Sequence, residues 1–401
     1  MVKTRHSAFS AVSSFDALHL AWKYMLRRAS ARSRRSHGVD SQTILDFDRN
    51  PSRNCHTIAN DLRHGSFAFS SLIAHLIPKD DGRNRVICVP TVRDRIVQRS
   101  ISDYLASGDR CKLNTDVSYG FLQGKSVKHA AMRAKTLRNE HQWAYKTDIT
   151  RFFDEIERNR LHEVIGTSVR DRSLHKILKL ASCCEIEEAQ ETRRTKIKKE
   201  GIIEGRGVRQ GMPLSPFFAN LILRRFDRSI DAKGIKMIRY ADDLLCLAHS
   251  ESECHDIHGH ICKALQTEGF SVPPPGANSK TKFYPPDEPA EFLGVSLRLN
   301  NGVYVIEVGC KQTEKVKQRI RDSSEMQHLL KSGIQLSGFF KRLDGIIDGY
   351  DGAYKYCDNY AHFQTILDSV RSQAIIRMFE ALGINLSALS SEKRRFLGIE
   401  E

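Results

Sequence analysis

Two adjacent aspartates stand between two apolar segments in the stretch MIRYADDLLCLAHS, residues 237–250. The arms at 237–240 and 244–248 have the length of short buried strands, so the pattern predicts two strands joined by a turn that carries Asp242 and Asp243. Neighbouring carboxylates repel each other unless positive charge lies beside them. Aspartates are also ordinary turn residues, because their side chains bond to nearby backbone. This stretch alone does not distinguish a structural turn from a cation site, so the surrounding sequence is needed.

A third aspartate follows a second strand-like stretch. In YKTDITRFFDEI, Asp148 ends a short apolar segment and the aromatic pair Phe152 and Phe153 follows, which predicts a strand, a turn and the start of a helix. Carboxylates are the ligands that Mg²⁺ prefers, and two such ions suit phosphoryl transfer. One lowers the pKa of an attacking hydroxyl and the other balances charge on the leaving group. The sequence therefore predicts that Asp148, Asp242 and Asp243 together hold Mg²⁺.

The stretch GVRQGMPLSPFFANLILRRFD lies between the two aspartate sites. Ser215 and Pro216 predict a helix cap and a first-turn position. The buried face of this helix is predicted to consist of Phe217, Phe218, Leu221, Ile222 and Phe226. Such a helix can be purely structural. Gln210 and Gly211 just before it supply a donor, an acceptor and a close backbone approach, which favours a ligand.

Helix and strand patterns recur along the rest of the chain. They predict a helix in SFDALHLAWKYMLRRAS, a strand at 86–89, helices at 93–105 and 126–139, strands in EFLGVSLRL and GVYVIEV, and helices from 311 onward. The charged region 185–209 predicts a hairpin. Cys254, His258 and Cys262 have the spacing of a metal-binding face, but that spacing fits any helix, and we favour ordinary helix packing over zinc.

The charge balance indicates a class of partner. The formal net charge is +15, which favours nucleic acid over a membrane surface. The predicted contacts are two basic runs, Arg32, Arg34 and Arg35 near the N-terminus and Arg193, Arg194, Lys196, Lys198 and Lys199 in RRTKIKK. Such runs can also be solvated faces. No apolar run approaches the roughly 18 residues of a membrane span, so we expect no membrane partner and a cytoplasmic protein, with its scattered cysteines reduced.

The order of these motifs resembles that of the reverse transcriptases, in particular the bacterial, group II intron-like branch. The blocks that carry the resemblance are GVDSQTILDF, IPKDDGRNRVICVPTVRDRIVQ, SYGFLQGKSVKHAA, YKTDITRFFDEI, RQGMPLSPFFANLIL, RYADDLLCLA, NSKTKF and EFLGVSL. The resemblance implies an α+β right-hand polymerase fold with fingers, a helical thumb and a palm built on a split βαβ-type sheet. The implied boundaries are 1–36 for a basic helical extension, 37–143 for the fingers with the 183–209 hairpin, 144–305 for the palm and 306–401 for the thumb.

The resemblance also implies roles for individual residues. Asp148, Asp242 and Asp243 match the metal-binding aspartates, and Ile149 lends its main-chain carbonyl to the metal. The residues that match the nucleotide site are Lys79 and Arg85 on the triphosphate, Gln210 near the sugar and phosphates, and Lys280, which protonates pyrophosphate. Phe153 matches the aromatic that clashes with a ribose 2′-hydroxyl, which implies deoxynucleoside triphosphates (dNTPs) as substrates. Core packing at a helix start is the alternative for Phe152 and Phe153, and we expect it to hold for one of them.

Departures from relatives narrow the expected biology. QGMPLSP differs from the SQ ending of diversity-generating enzymes, the VTG of retron thumbs is absent, and we expect no maturase or endonuclease segment. The chain therefore looks most like the free-standing "unknown group" reverse transcriptases of antiphage defence. We expect it to copy a noncoding RNA from its own locus into DNA. A splicing cofactor without polymerase activity is disfavoured by the intact aspartates, whereas a template-independent nucleotidyl transferase stays open.

Overall fold

The computed structural model describes residues 7–79, 82–276 and 279–397, apart from the side chain of Arg32. Its α-helices are α1 (Ala8–Val12), α2 (Phe15–Arg28), α3 (Ala31–Arg34), α4 (Ile44–Asp48), α5 (Pro51–His64), α6 (Val92–Ala106), α7 (Val127–Glu140), α8 (Phe152–Glu155), α9 (Arg158–Ser168), α10 (His175–Ser182), α11 (Glu191–Lys199), α12 (Ser215–Ala232), α13 (Glu251–Thr267), α14 (Cys310–Ser324), α15 (Met326–Lys331), α16 (Leu336–Tyr354), α17 (Tyr360–Ala381) and α18 (Ser391–Phe396). Its strands are β1 (Ile73–Pro78), β2 (Asn84–Val89), β3 (Trp143–Asp148), β4 (Lys236–Tyr240), β5 (Asp243–Ala248), β6 (Lys282–Tyr284), β7 (Ala290–Phe292), β8 (Val295–Asn300) and β9 (Val303–Glu307).

The chain divides into two compact units. The first comprises Met1–Ser126, Lys146–Cys246 and His255–Lys282, and the second comprises Val127–Tyr145, Leu247–Cys254 and Phe283–Glu401. Most elements lie where the periodicity predicts them, including α2, α6, α7, α13, β9 and the helices after β9. The stretch EFLGVSLRL, predicted as one strand, instead contributes to two antiparallel strands, β7 and β8. Every residue named above as part of the predicted aspartate and nucleotide sites falls in the first unit.

A four-stranded sheet has the order β4-β5-β3-β6, so β3 and β5 are neighbours. The two strands predicted on either side of the aspartate pair are β4 and β5, and their existence is confirmed. Asp148 is the last residue of β3, and Asp243 is the first residue of β5. The sheet order therefore places the two aspartate sites on adjacent strands, in agreement with the palm architecture that the resemblance implies.

An antiparallel hairpin of β1 and β2 forms one part of the first unit, with Ile77 opposite Arg85. The hairpin predicted within 183–209 is wrong, because residues Glu191–Lys199 form helix α11 instead. Glu, Arg and Lys in this segment are good helix formers, and the segment lacks strand-like alternation. One apolar residue, Ile197, is 5% exposed and anchors the helix in the cluster formed by Leu72, Ala74, Val86, Cys88, Cys184 and Met212.

Helix α12 departs from its prediction at its first turn. The capping position belongs to Leu214, and Ser215 is the first helical residue, with its hydroxyl donating to the carbonyl of Arg209 at 2.6 Å. The serine thus ties the helix to the preceding loop, because its hydroxyl finds a backbone acceptor there. Of the predicted buried face, Phe218, Leu221, Ile222 and Phe226 are buried, whereas Phe217 is partly exposed.

The second unit contains the sheet β7-β8-β9 and the helices α14 to α17. The fully buried Arg138 of α7 binds main-chain carbonyls of Leu297, Pro285 and Glu288. The cysteines are all free thiols. In helix α13 Cys254 is buried, whereas His258 and Cys262 are partly exposed. Among the described residues, no helix combines the length and the apolar character that a membrane crossing requires.

Candidate active site

Three aspartates lie near the ends of the neighbouring strands β3 and β5, where they influence one another electrostatically. Asp148 is 7% exposed, and Asp242 and Asp243 are partly buried in the turn between β4 and β5. The amide of Ile149 donates a 2.9 Å hydrogen bond to the main-chain carbonyl of Asp242. This bond ties the turn to the residue that follows Asp148, so the positions of the two sites depend on each other.

Burial raises the pKa of both members of the aspartate pair. For Asp243, burial is the largest cause and the charge of Asp242 is the next, and together they raise the pKa to about 6. The pKa of Asp242 is raised by burial and by the charge of Asp148, whereas Lys280 and Arg85 oppose the rise. Three acidic groups therefore share a partly buried place, and in this structure lysine and arginine provide the opposite charge.

The carboxylate of Asp148 has two unlike oxygens. Its Oδ2 accepts a hydrogen bond from Nζ of Lys280, whereas its Oδ1 is buried and receives no donor from the described residues. Across residues 7–79, 82–276 and 279–397, no three His, Cys, Asp or Glu side chains come together as a metal-binding group in this conformation. A buried carboxylate oxygen without a donor, next to two more aspartates, nevertheless fits a hard divalent cation such as Mg²⁺.

The β1–β2 hairpin carries the predicted triphosphate ligands. Lys79 and Arg85 are both exposed, and the amide of Lys79 donates to the carbonyl of Arg83 at 2.8 Å. Their charges act on nearby carboxylates. Arg85 opposes the rise in the pKa of Asp242, and Lys79 opposes the rise in the pKa of Asp154. Burial is the larger effect on Asp154 and raises its pKa to about 6. Two cations of the hairpin are thus close enough to act on carboxylates, Arg85 on Asp242 and Lys79 on Asp154.

The two phenylalanines after Asp148 have different surroundings. Phe152 is 2% exposed and packs edge-on against Phe270, with ring centroids 5.1 Å apart. Phe153 is partly exposed, and its carbonyl accepts a 2.9 Å hydrogen bond from the amide of Val208. One phenylalanine is therefore a core residue, as the sequence predicted, which leaves the ring of Phe153 available to a ligand.

Gln210 lies in a loop that packs against strand β2. Its carbonyl accepts a 2.7 Å hydrogen bond from the amide of Cys88, and its side chain is partly exposed. Gly211 has φ +103°, and a Cβ there would lie 2.3 Å from the carbonyl oxygen of Cys88. This position needs glycine for both reasons. The close approach predicted for the Gln210–Gly211 pair is thus an approach to the hairpin backbone.

The basic runs have mixed surroundings. Arg193 donates Nη2 to the carbonyl of Ala74 at 2.5 Å, and Arg194 pairs with Glu191 at 3.2 Å. In the remainder of that run, the exposed lysines that form no ion pair with any described residue are Lys196, Lys198 and Lys199. Near the N-terminus Arg34 is partly buried and Arg35 is exposed, and the side chain of Arg32 lies outside the described part of the structure.

Two residues near the site were not predicted from the sequence, Lys146 and Glu185. Lys146 lies two residues before Asp148 and lowers the pKa of Asp243. The period of two along a strand could have indicated it, because residues i and i+2 share a face. Glu185 was also missed; it binds Arg158 and Arg209, each at 2.6 Å, and so fixes the loop before Gln210. Long-range ion pairs of this kind leave no local signal in a sequence.

Comparisons with known proteins add to this geometry. The family model described as "Reverse transcriptase (RNA-dependent DNA polymerase)" matches residues 77–297. Protein YkfC of Escherichia coli (strain K12) is 27% identical over 38% of this chain and 39% of its own. The Retron Ec83 reverse transcriptase of Escherichia coli is 27% identical over 42% of this chain and 50% of its own. Group II intron-encoded protein LtrA of Lactococcus lactis subsp. cremoris is 25% identical over 56% of this chain and 35% of its own.

The chain spans half or less of the length of these relatives. Among solved structures, telomerase from Candida albicans covers 90% of this chain and 69% of its own at 13% identity, with a TM-score of 0.41, a likeness too distant to bear on the assignment. The match to the family model covers more than half of the 401 residues. It includes both aspartate sites and confirms the predicted α+β right-hand polymerase fold. This chain belongs to the reverse transcriptase (RNA-dependent DNA polymerase) family.

Proposed function

We propose that this chain is an RNA-directed DNA polymerase that adds dNTPs to a primer 3′-hydroxyl on an RNA template, with Mg²⁺ as cofactor. The observation that carries the proposal is the electrostatic proximity of Asp148, Asp242 and Asp243 inside the segment that matches the family model. The donor-free Oδ1 of Asp148 supports a divalent cation there. Asp148, Asp242, Asp243 and the carbonyl of Ile149 would hold Mg²⁺, which supplies an acidified hydroxyl nucleophile and charge balance on the leaving group.

The side chains around the aspartates serve the nucleotide. Lys79 acts as a point charge on the triphosphate, and Arg85 binds it as a planar fork. Phe153 stands against C2′ of the sugar, and Gln210 contacts the sugar and phosphates. Lys280 is exposed and bound to Asp148, and its ammonium group protonates the departing pyrophosphate. Each of these residues binds, orients or moves a proton at a named part of the substrate.

Primer extension tests the proposed activity. The purified chain is given a primed RNA template, Mg²⁺ and dNTPs, and we expect DNA whose sequence is complementary to the template. Products that ignore the template would instead favour a template-independent nucleotidyl transferase. Tight binding of structured RNA without any extension would favour a splicing cofactor.

We further propose that the template is a noncoding RNA from the chain's own locus and that its copying serves antiphage defence in the cytoplasm. The support is the motif pattern of the sequence, which resembles the defence-associated branch. Sequencing of copurified nucleic acid should return one short neighbouring region as RNA and complementary DNA. Cells that carry the locus should resist some phages only while Asp148, Asp242 and Asp243 are intact. Reads spread evenly over cellular transcripts would contradict a dedicated template.

The exposed lysines of helix α11 are proposed to bind phosphates of the RNA. Replacing Lys196, Lys198 and Lys199 by glutamine should weaken RNA binding and reduce the slope of log K against log salt by roughly one unit for each lost contact. Binding titrations at several salt concentrations measure both quantities. Arg193 and Arg194 are left in place because they bond to neighbouring backbone and carboxylates.

A charge-matched variant provides the control for this prediction. Lys233, Lys236 and Lys263 are also exposed and lie in the same compact unit. Their replacement by glutamine removes the same charge, so it reports the effect of net charge alone. Equal salt slopes for the two triple variants would show that α11 is a solvated face.

A further inference from the structure

A fully buried arginine precedes the aspartate turn and uses its entire guanidinium group. Arg239 is 0% exposed, and its Nε and Nη2 bind the two carboxylate oxygens of Asp227 at 2.6 and 2.5 Å. Nη1 donates to Oδ1 of Asn220 at 3.1 Å and to the carbonyl of Ala241 at 3.0 Å, and Nη2 also donates to Oγ of Ser118 at 2.8 Å. A guanidinium group has five N–H donors, so all of them are used.

One of these bonds fixes the peptide that leads into Asp242. Ala241 has φ +58°, a left-handed conformation that is unfavourable for a residue with a Cβ. Its carbonyl belongs to the Ala241–Asp242 peptide and receives Nη1 of Arg239. The next carbonyl, that of Asp242, accepts the amide of Ile149. The strained turn is therefore held from one side by Arg239 and from the other by the end of β3.

Arg239 also binds residues 117–119 through its main chain. Its amide donates to the carbonyl of Val117, and its carbonyl accepts from the amide of Tyr119, both at 2.8 Å. Gly120 follows and lies so close that a Cβ there would be 2.5 Å from the amide nitrogen of Ala241. The turn consequently has no room to move toward this segment while Arg239 keeps the segment in place.

Stability alone does not account for this arrangement. A buried ion pair is often no more stabilising than apolar side chains of similar volume, because both charges lose their hydration. What the Arg239–Asp227 pair supplies is a fixed direction for five hydrogen bonds, one of which reaches the residue before Asp242. We propose that Arg239 is a positioning residue, which holds Asp242 in place relative to Asp148 and so sets the affinity of the site for divalent cations. This inference rests on the function proposed above.

Direct titration with Mn²⁺, followed by electron paramagnetic resonance, tests this role without relying on activity. Arg239→Lys keeps the charge but cannot reproduce the fork, so we expect Mn²⁺ to bind about tenfold or more weakly, the range seen when a partner that orients a metal ligand is lost. In primer extension, the Mg²⁺ concentration for half-maximal rate should rise and kcat should fall, whereas KM for dNTP should change little.

Arg138→Lys is the matched control, because Arg138 is equally buried but binds main-chain carbonyls in the other compact unit. It should lower the temperature of unfolding and leave Mn²⁺ affinity unchanged. If Arg239→Lys loses stability to the same extent but binds Mn²⁺ as the unaltered chain does, the positioning role is refuted.

Asp227→Asn keeps the inference testable if Arg239→Lys does not fold. This isosteric change loosens the guanidinium group while retaining Arg239, and weaker Mn²⁺ binding supports the role whereas unchanged binding overturns it. Failure of the proposed function looks different. In that case the unaltered chain neither binds Mn²⁺ nor extends a primer. If only the positioning role is wrong, Mn²⁺ binding and primer extension are both retained in the unaltered chain and in every variant.

Discussion

Replacing Asp242 and Asp243 together by alanine should reduce primer extension by a factor of about 10³ or more, because loss of a metal ligand removes several kcal/mol of charge stabilisation. The fold should persist. Two partly buried carboxylates repel each other, so their removal should leave the temperature of unfolding unchanged or higher. RNA binding through distant phosphate contacts should also be retained. Extension of a primed RNA template, a thermal melt and an RNA titration measure the three quantities.

The adjacent acidic residues Asp287 and Glu288 offer a matched control. Both are exposed, and Glu288 binds Arg138 through its main-chain carbonyl, which a substitution by alanine keeps. Their double replacement removes the same charge and should leave extension close to that of the unaltered chain. If the Asp242 and Asp243 variant retains activity within about threefold, a loss far below the expected several kcal/mol, the assignment of the metal ligands is wrong.

The sequence predicted those parts of the fold that local patterns determine. Alternating and continuous apolar runs predicted β2, β3, β4 and β5 because a buried strand has to show an apolar face. The adjacency of the two aspartate sites came from the resemblance to a family. The polar contacts that hold the site in place, such as those of Glu185 and Arg239, join residues far apart in the chain and could not be read from spacing.

The failed predictions share a physical cause. The region around helix α11 is so rich in charge that its single buried apolar residue, Ile197, gives no visible period, and the glycines that follow the helix favoured the hairpin prediction. At α12 the serine that usually caps a helix instead binds the carbonyl of Arg209. In both places a tertiary contact decided between local alternatives that the sequence left nearly equal.

The structure also shows which residues of the basic run RRTKIKK are free to bind a phosphate. The run RRTKIKK reads as one basic patch, but Arg193 is tethered to the carbonyl of Ala74 and Arg194 to Glu191. A charge count therefore overestimates how many residues of the run are free to meet a phosphate.

Shortening Phe153 to valine should admit ribonucleotides. If the ring stands against C2′ of the nucleotide, its loss removes the steric barrier to a 2′-hydroxyl, and barriers of this size correspond to about 10–200-fold in selectivity. The measurement is the ratio of kcat/KM for a ribonucleotide to that for the matching deoxynucleotide on one template. The exposed fraction of Phe153 and its place beside Val208 and Asp154 leave the ring open to a ligand.

Phe152→Val separates this effect from a loss of packing. Phe152 is 2% exposed and packs on Phe270, so the change should lower the free energy of unfolding by on the order of 2 kcal/mol and leave the sugar ratio as it was. The two variants remove the same atoms at neighbouring positions, and only the one that faces the nucleotide should alter the choice of sugar. An active Phe153→Val enzyme with an unchanged ratio would make Phe153 a packing residue, and the discrimination against ribose would then have to come from another side chain.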